Sequence, residues 1–133
     1  MGNRPLLIVD AANVVGATPD GWWRDRRGAT TRLRDALTPL SARGLDETGG
    51  VPVDVVLVVE GKARAVTSTA EVVVVAARHA ADDTIVDLVR EQAPSRRCWV
   101  VTADRELRSR IQAEGGEALR PRTLLEALRR LAS

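Results

Sequence analysis

The sequence predicts an α/β domain in three layers, with helices on both faces of a mainly parallel sheet. Two observations predict it. Short, β-branched apolar runs alternate with segments of helical period. The runs are also nearly continuous in polarity rather than alternating, which is how strands buried on both faces read. A length of 133 residues suits one domain over 1–133, large enough to bury roughly 70% of its unfolded surface.

Taken in order, the first run is "LLIVD" at 6–10, four apolar residues closed by an aspartate. "VDVVLVVE" (53–60), "EVVVVAA" (71–77) and "CWVVTAD" (98–104) follow, and "EALR" (117–120) reads as a shorter fifth strand. Helical periods cover 30–43, 82–92, 104–114 and 121–132. The last opens on Pro121, whose fixed φ and missing N–H suit a first turn. Leu124, Leu125, Leu128 and Leu131 give it one apolar stripe. "GLDETGGVP" (44–52) reads as a loop. Residues 61–70 are too few for a full crossover helix: either they hold one helical turn or 71–77 is an edge strand.

Composition narrows the class. Apolar residues make up 44% and charged residues 29%, as in globular proteins. No apolar run approaches the roughly 20 residues that span a bilayer. The start "MGNRPLLIV" lacks a leader pattern, and no Ser or Thr stands at position 6 for myristoylation, so a cytoplasmic location is expected. Cys98, the one cysteine, reads as a buried small hydrophobe. Of 20 basic residues only Lys62 is a lysine. Arginine suits phosphate and flat rings, but G+C-rich codons produce the same bias, so the count alone identifies no partner. G-x-G-x-x-G, G-x-x-x-x-G-K-[ST] and G-x-S-x-G are absent, and no Cys/His spacing suits zinc.

The acids carry the chemistry. Ligands of open parallel sheets bind beyond the carboxyl ends of the strands. Asp10 ends the first run, Glu60 the second, Asp82 and Asp83 follow the third, and Asp104 follows the fourth. Mg²⁺ and Mn²⁺ prefer such oxygen donors. Beside a phosphodiester they polarise a non-bridging oxygen, activate water and stabilise the leaving oxygen. Asn13 suits a neutral partner for phosphate or a ligand water. On the helix from 82, Asp82 shares a face with Ile85, Val86 and Val89 and so overlooks the crevice. Asp83 shares a face with Asp87 and Arg90 and turns to solvent or caps the helix. Asp104 precedes a helix, but Leu107 three residues on rules out a capping box. Glu60 and Thr102 are candidates for support of the acids, Thr102 through a hydrogen bond to Asp10 or Asp104.

Other residues suit a nucleic-acid chain. Trp22 and Trp23 stand in a sequence without Phe or Tyr, and Arg24, Arg26 and Arg27 follow them. Indole faces stack on bases at about 1–3 kcal/mol each, and arginines take phosphates. One tryptophan is expected to be buried and the other to be available. His79, the one histidine, precedes Asp82 by three and suits phosphate contact or proton transfer. Arg105 and Arg108 suit steering of an anionic substrate.

"LLIVDAANVVG" (6–16), "AADDTIVDLV" (80–89) and "VVTADREL" (100–107) together resemble the NYN domains of the PIN-like nuclease superfamily, in particular the small YacP-like group. Order and spacing match over nearly the whole chain. The resemblance implies a Rossmann-like, PIN/NYN-like sheet of strand order 3-2-1-4-5 and a Mg²⁺- or Mn²⁺-dependent ribonuclease activity. Carried over by position, the family's metal-site acids fall on Asp10, Asp82 and Asp104, and its asparagine on Asn13. Two features depart from the pattern. His79 stands where the family often has Glu, which leaves Asp83 as the substitute ligand. The segment after Glu60 is also shorter than usual, which bears on how RNA is gripped.

The first functional reading is therefore a metal-dependent endoribonuclease acting on single-stranded RNA, at a ribosome or another RNA complex. The alternative is an RNA-binding or scaffold module with a degenerate nuclease site, supported by His79 in place of an acid. A phosphate-transfer receiver or small phosphatase fits poorly. "VDAANVV" offers no second acid beside Asp10, and no lysine follows the last strand. No membrane partner is expected, and monomer and weak homodimer both remain open.

Overall fold

Strand β1 (Leu6–Asp10) runs through the middle of a five-stranded parallel sheet of order β3-β2-β1-β4-β5. Its neighbours are β2 (Asp54–Val59) and β4 (Cys98–Val101), with β3 (Val72–Ala76) and β5 (Glu117–Leu119) at the two edges. The computed structural model describes residues 3–18 and 21–132. Met1 and Gly2, where the leader reading begins, and Pro19, Asp20 and Ser133 lie outside the described residues.

Alternation along the strands builds the two halves of the core. Leu7 and Val9 pack with Val55, Leu57, Val59 and Val101 beneath α1 (Ala11–Gly16), α2 (Arg26–Leu37) and α6 (Pro121–Ala132). Leu6 and Ile8 pack with Val58, Cys98 and Val100 beneath α4 (Ala81–Gln92) and α5 (Arg105–Ala113). Every residue of β1 and β4 is buried, which explains why their sequences lack polar alternation. Cys98 is buried and unpaired, as expected.

Element boundaries shift for identifiable reasons. α2 starts at Arg26, not near residue 30, because the Asp25 carboxylate accepts from the Gly28 N–H (2.9 Å) and caps it. It stops at Leu37 ahead of Pro39, and the rest of the expected helix is the separate turn α3 (Leu40–Arg43). The loop 44–52 contains a 3₁₀ turn at Asp46–Thr48. Residues 61–70 include a 3₁₀ turn (Gly61–Ala65) and β3 is also an edge strand, so both expectations for that stretch hold. The six residues of α1 show no helical period in the sequence because the helix is too short to display one.

Candidate functional site

Register decides which side chains meet. Val9 lies opposite Val101, so the next residues, Asp10 and Thr102, stand side by side at the sheet rim. Thr102 Oγ1 donates to Asp10 Oδ2 (3.0 Å) and accepts from the Asp104 N–H (3.2 Å). One hydroxyl thus ties the first acid to the loop that carries another. α1 begins directly after Asp10 and brings Asn13, one turn on, back over it. Asn13 Nδ2 donates to the same Oδ2 (2.7 Å), and its Oδ1 accepts from the Ala103 N–H (3.3 Å). Both polar ends of Asn13 therefore brace the site rather than face a ligand.

Asp10 is only 1% exposed. Burial pushes its carboxyl up to about 6, although the Thr102 and Asn13 bonds pull it down, and the nearby Asp82 charge adds to the rise. Asp82 is half-buried and is also raised. Burial is the largest cause, and Asp104 and Glu60 repel its charge, with Asp83 adding to this and Arg110 opposing it. Asp10, Asp82, Asp104 and Glu60 thus share one field, although their sequence positions are far apart.

The helix starts hold the remaining acids. α5 follows Asp104, whose Oδ1 accepts from the Leu107 N–H (3.1 Å) as an N-cap. A capping box is not needed for that bond, and Asp104 Oδ2 takes no part in it. α4 follows Ala80, which has no side chain to cap it. Glu60 replaces the missing cap from across the rim, its Oε2 accepting from the Ala81 N–H (2.8 Å). Asp83 faces outward, 84% exposed, and pairs with Arg110 (2.8 Å). Its carboxylate engages α5 rather than the rim. Sequence reasoning did not identify Arg110 or the capping role of Glu60, because both depend on contacts between distant elements.

Neither tryptophan is fully buried. Trp22 packs partly buried against the core, while Trp23 is 58% exposed and meets it edge to face. Arg26 lies over the Trp22 ring (5.3 Å) and Arg24 over Trp23 (5.8 Å). Arg27 is exposed on α2. His79 is exposed and lines a hollow of about 540 Å³ with Trp22, Arg26 and Glu60. Arg105 and Arg108 border a smaller hollow on α5.

The donor set is chemically suited to a hard divalent cation. Its carboxylates repel one another around Asp82, where Asp104, Glu60 and Asp83 act against its charge and Arg110 opposes them. Among the described residues, no group of three or more acidic, histidine or cysteine side chains stands close enough together to hold a metal ion. An open arrangement of this kind suits Mg²⁺, which is usually held by one or two carboxylates, with waters and substrate phosphates completing the shell.

The fold matches known structures. Rae1 (YacP) from Bacillus subtilis superposes with a TM-score of 0.74 at 21% identity, covering 96% of this chain and 75% of that one. A tryptophan-to-leucine variant of the same protein gives 0.72 at 21% identity, covering 96% and 76%. At that identity the likeness is one of fold. No curated protein matches the sequence. The YacP-like NYN domain family matches residues 7–133. Only Leu6 of the first strand, among all the elements of the sheet and its helices, precedes that match, and the chain therefore belongs to the YacP-like NYN domain family.

Proposed function

We propose that this protein is a metal-dependent endoribonuclease that hydrolyses phosphodiester bonds of single-stranded RNA. The NYN fold is a nuclease-type fold, and its family consists generally of nucleases. The observation that carries the reading for this chain is that Asp10 and Asp82 are raised, first by burial and then by neighbouring acids, Asp82 acting on Asp10 and Asp104 and Glu60 acting on Asp82. Such a field is costly in an empty protein and favourable around a cation.

Asp10, Asp82 and Asp104 are the residues assigned to hold Mg²⁺ or Mn²⁺. Bound there, the ion would supply Lewis-acid polarisation of the phosphate and a more acidic water. On this reading Asp82, the half-buried member, would also orient the attacking water and accept its proton. Thr102 and Asn13 fix the Asp10 carboxylate, and Glu60 fixes the start of α4 and so Asp82. Trp23 offers an exposed stacking face, with Arg24, Arg27 and Arg105 as phosphate contacts. Asp83 becomes a ligand only if it leaves Arg110. A cytoplasmic setting, action on ribosome-associated RNA and function as one NYN unit over 1–133 belong to the same reading. No helix among the described residues is long and apolar enough to cross a membrane.

The test is cleavage of end-labelled single-stranded RNA in Mn²⁺, Mg²⁺ or EDTA by wild type, Asp10→Asn and Asp82→Asn. Metal-dependent cleavage lost in both variants is expected, with RNA binding retained. Equal cleavage by all three proteins would remove the assigned site. Binding without any cleavage would favour the scaffold reading.

A further inference from the structure

Of the rim acids, Glu60 lines the hollow of about 540 Å³, and residues next in sequence to Asp10 and close before Asp82 line it as well. It opens at Ala11 and Ala12, the two residues after Asp10, and closes at His79 and Ala80, just before Ala81 and Asp82. Its size falls within the range of small-ligand sites, roughly 300–1,000 Å³. The room exists because Ala11, Ala12, Gly61, Ala63 and Ala80 place almost no side chain in it.

The chemistry of its walls is divided. Ala63 and Val15 make an apolar floor, and Trp22 with the Arg26 guanidinium over its ring makes a flat wall. Arg64 and Arg78 stand at the rim, both exposed. Among the described residues neither enters an ion pair, whereas Arg34, Arg90, Arg96, Arg97, Arg110 and Arg122 all do. Two guanidiniums outside any ion pair, beside an apolar slot with one carboxylate, Glu60, suit a ligand with a flat ring and an anionic group. A base with its phosphate is such a ligand.

We infer that this hollow is a nucleotide subsite, in which one unpaired base lies against Trp22 and Arg26 while its phosphate engages Arg64 and Arg78. The inference rests on the ribonuclease reading and extends it. Seating one nucleotide here fixes the adjoining phosphodiester over Asp10 and Asp82. It also selects for single strands, because a base held in a duplex cannot enter the slot without unpairing. Glu60 faces the hollow as an acceptor for a base N–H, while its Oε2 also holds Ala81.

Two measurements test this independently of cleavage. AMP, GMP, CMP and UMP are titrated into metal-free protein in EDTA, observing the Trp22 indole N–H by NMR. A fluorescent single-stranded oligonucleotide is titrated into the same protein by anisotropy. At least one monophosphate is expected to shift the Trp22 signal saturably. Arg64→Ala/Arg78→Ala is expected to weaken oligonucleotide binding about tenfold or more, beyond the charge-matched control Arg43→Ala/Arg130→Ala, neither of whose residues lines the hollow. Ala12→Trp, which fills the slot without changing charge, is expected to abolish the monophosphate shift while the circular dichroism spectrum stays native. The inference is overturned if the monophosphates leave Trp22 unmoved, if the double variant matches its control, or if Ala12→Trp binds like wild type. Nucleotide binding in a protein that never cuts RNA would keep the subsite and remove the nuclease. Unaltered cutting by Ala12→Trp would do the reverse.

Discussion

Asp10 is held where its own charge is disfavoured, and pH therefore enters its energetics with a definite sign. An unfolded aspartate ionises near pH 3.9, whereas Asp10 in the fold does so at about 6. Between those values the native state keeps a proton that the unfolded state has lost. Stability therefore falls as pH rises from about 4 to about 6 and is level above that, the whole effect being roughly 3 kcal/mol. Asp10→Asn keeps an oxygen to accept from Thr102 and Asn13 but carries no charge. It is expected to raise stability by about 1–3 kcal/mol at pH 7.5 and by little at pH 4, measured by urea denaturation at both pH values. A gain of the same size at both would contradict the burial argument. Thr102→Val removes the shared hydroxyl at constant shape. It is expected to cost about 1–3 kcal/mol and to drive the Asp10 carboxyl higher in an NMR titration, with Thr102→Ser restoring both. The placement of Asp10 was legible because the apolar run ends on it. The role of Asn13 as a brace was not, because it depends on a helix too short to leave a period in the sequence.

At the scale of elements, two helix starts carry more than propensity. Ala80 leaves α4 without a local cap, and Glu60 supplies the oxygen from the end of β2. Glu60→Ala is expected to lose about 1 kcal/mol and to speed amide hydrogen exchange over residues 81–84, while α5, capped by Asp104, stays protected. In α2, a Cβ on Gly28 would come within 2.2 Å of the Asp25 carboxylate oxygen. Alanine is otherwise the better helix former by about 1 kcal/mol. Gly28→Ala is therefore expected to destabilise wild type yet stabilise an Asp25→Ala background, and thermal melts of the four proteins read that reversal. These capping details also limit what the sequence reveals. Strand runs announced themselves through β-branched continuity, but helix ends were set by single side-chain bonds, one of them formed across 21 positions. At the β3 edge, Ser68 Oγ accepts from the Val74 N–H and donates to its carbonyl oxygen, and Thr69 does similar work at Val72. The adjoining segment thus covers an edge whose Val73 is 51% exposed.

Across the whole molecule, the layer arrangement was legible because both-face burial leaves nearly continuous apolar runs, whereas the strand order came from the family resemblance. That the ends of β1, β2 and β4 lie at one rim was legible once the sheet was read as parallel. Which acids face inward and which pair elsewhere was only partly so. Asp83 is engaged by Arg110 from another helix, a contact with no local signal. If the rim acids hold a cation, binding must displace protons. Mn²⁺ is then expected to raise the melting temperature more at pH 7.5 than at pH 5, and the gain should vanish in Asp82→Asn. Equal shifts at both pH values would place the ion elsewhere. The long reach of the Thr102–Asp10 bond, across 92 positions, has a further result during synthesis. A nascent chain that has extruded β1, β2 and β3 still lacks Thr102 and Asp104. On the ribonuclease reading, such a chain cannot cut RNA until residues 102–104 have emerged, so the RNA around it is safe from a half-made site.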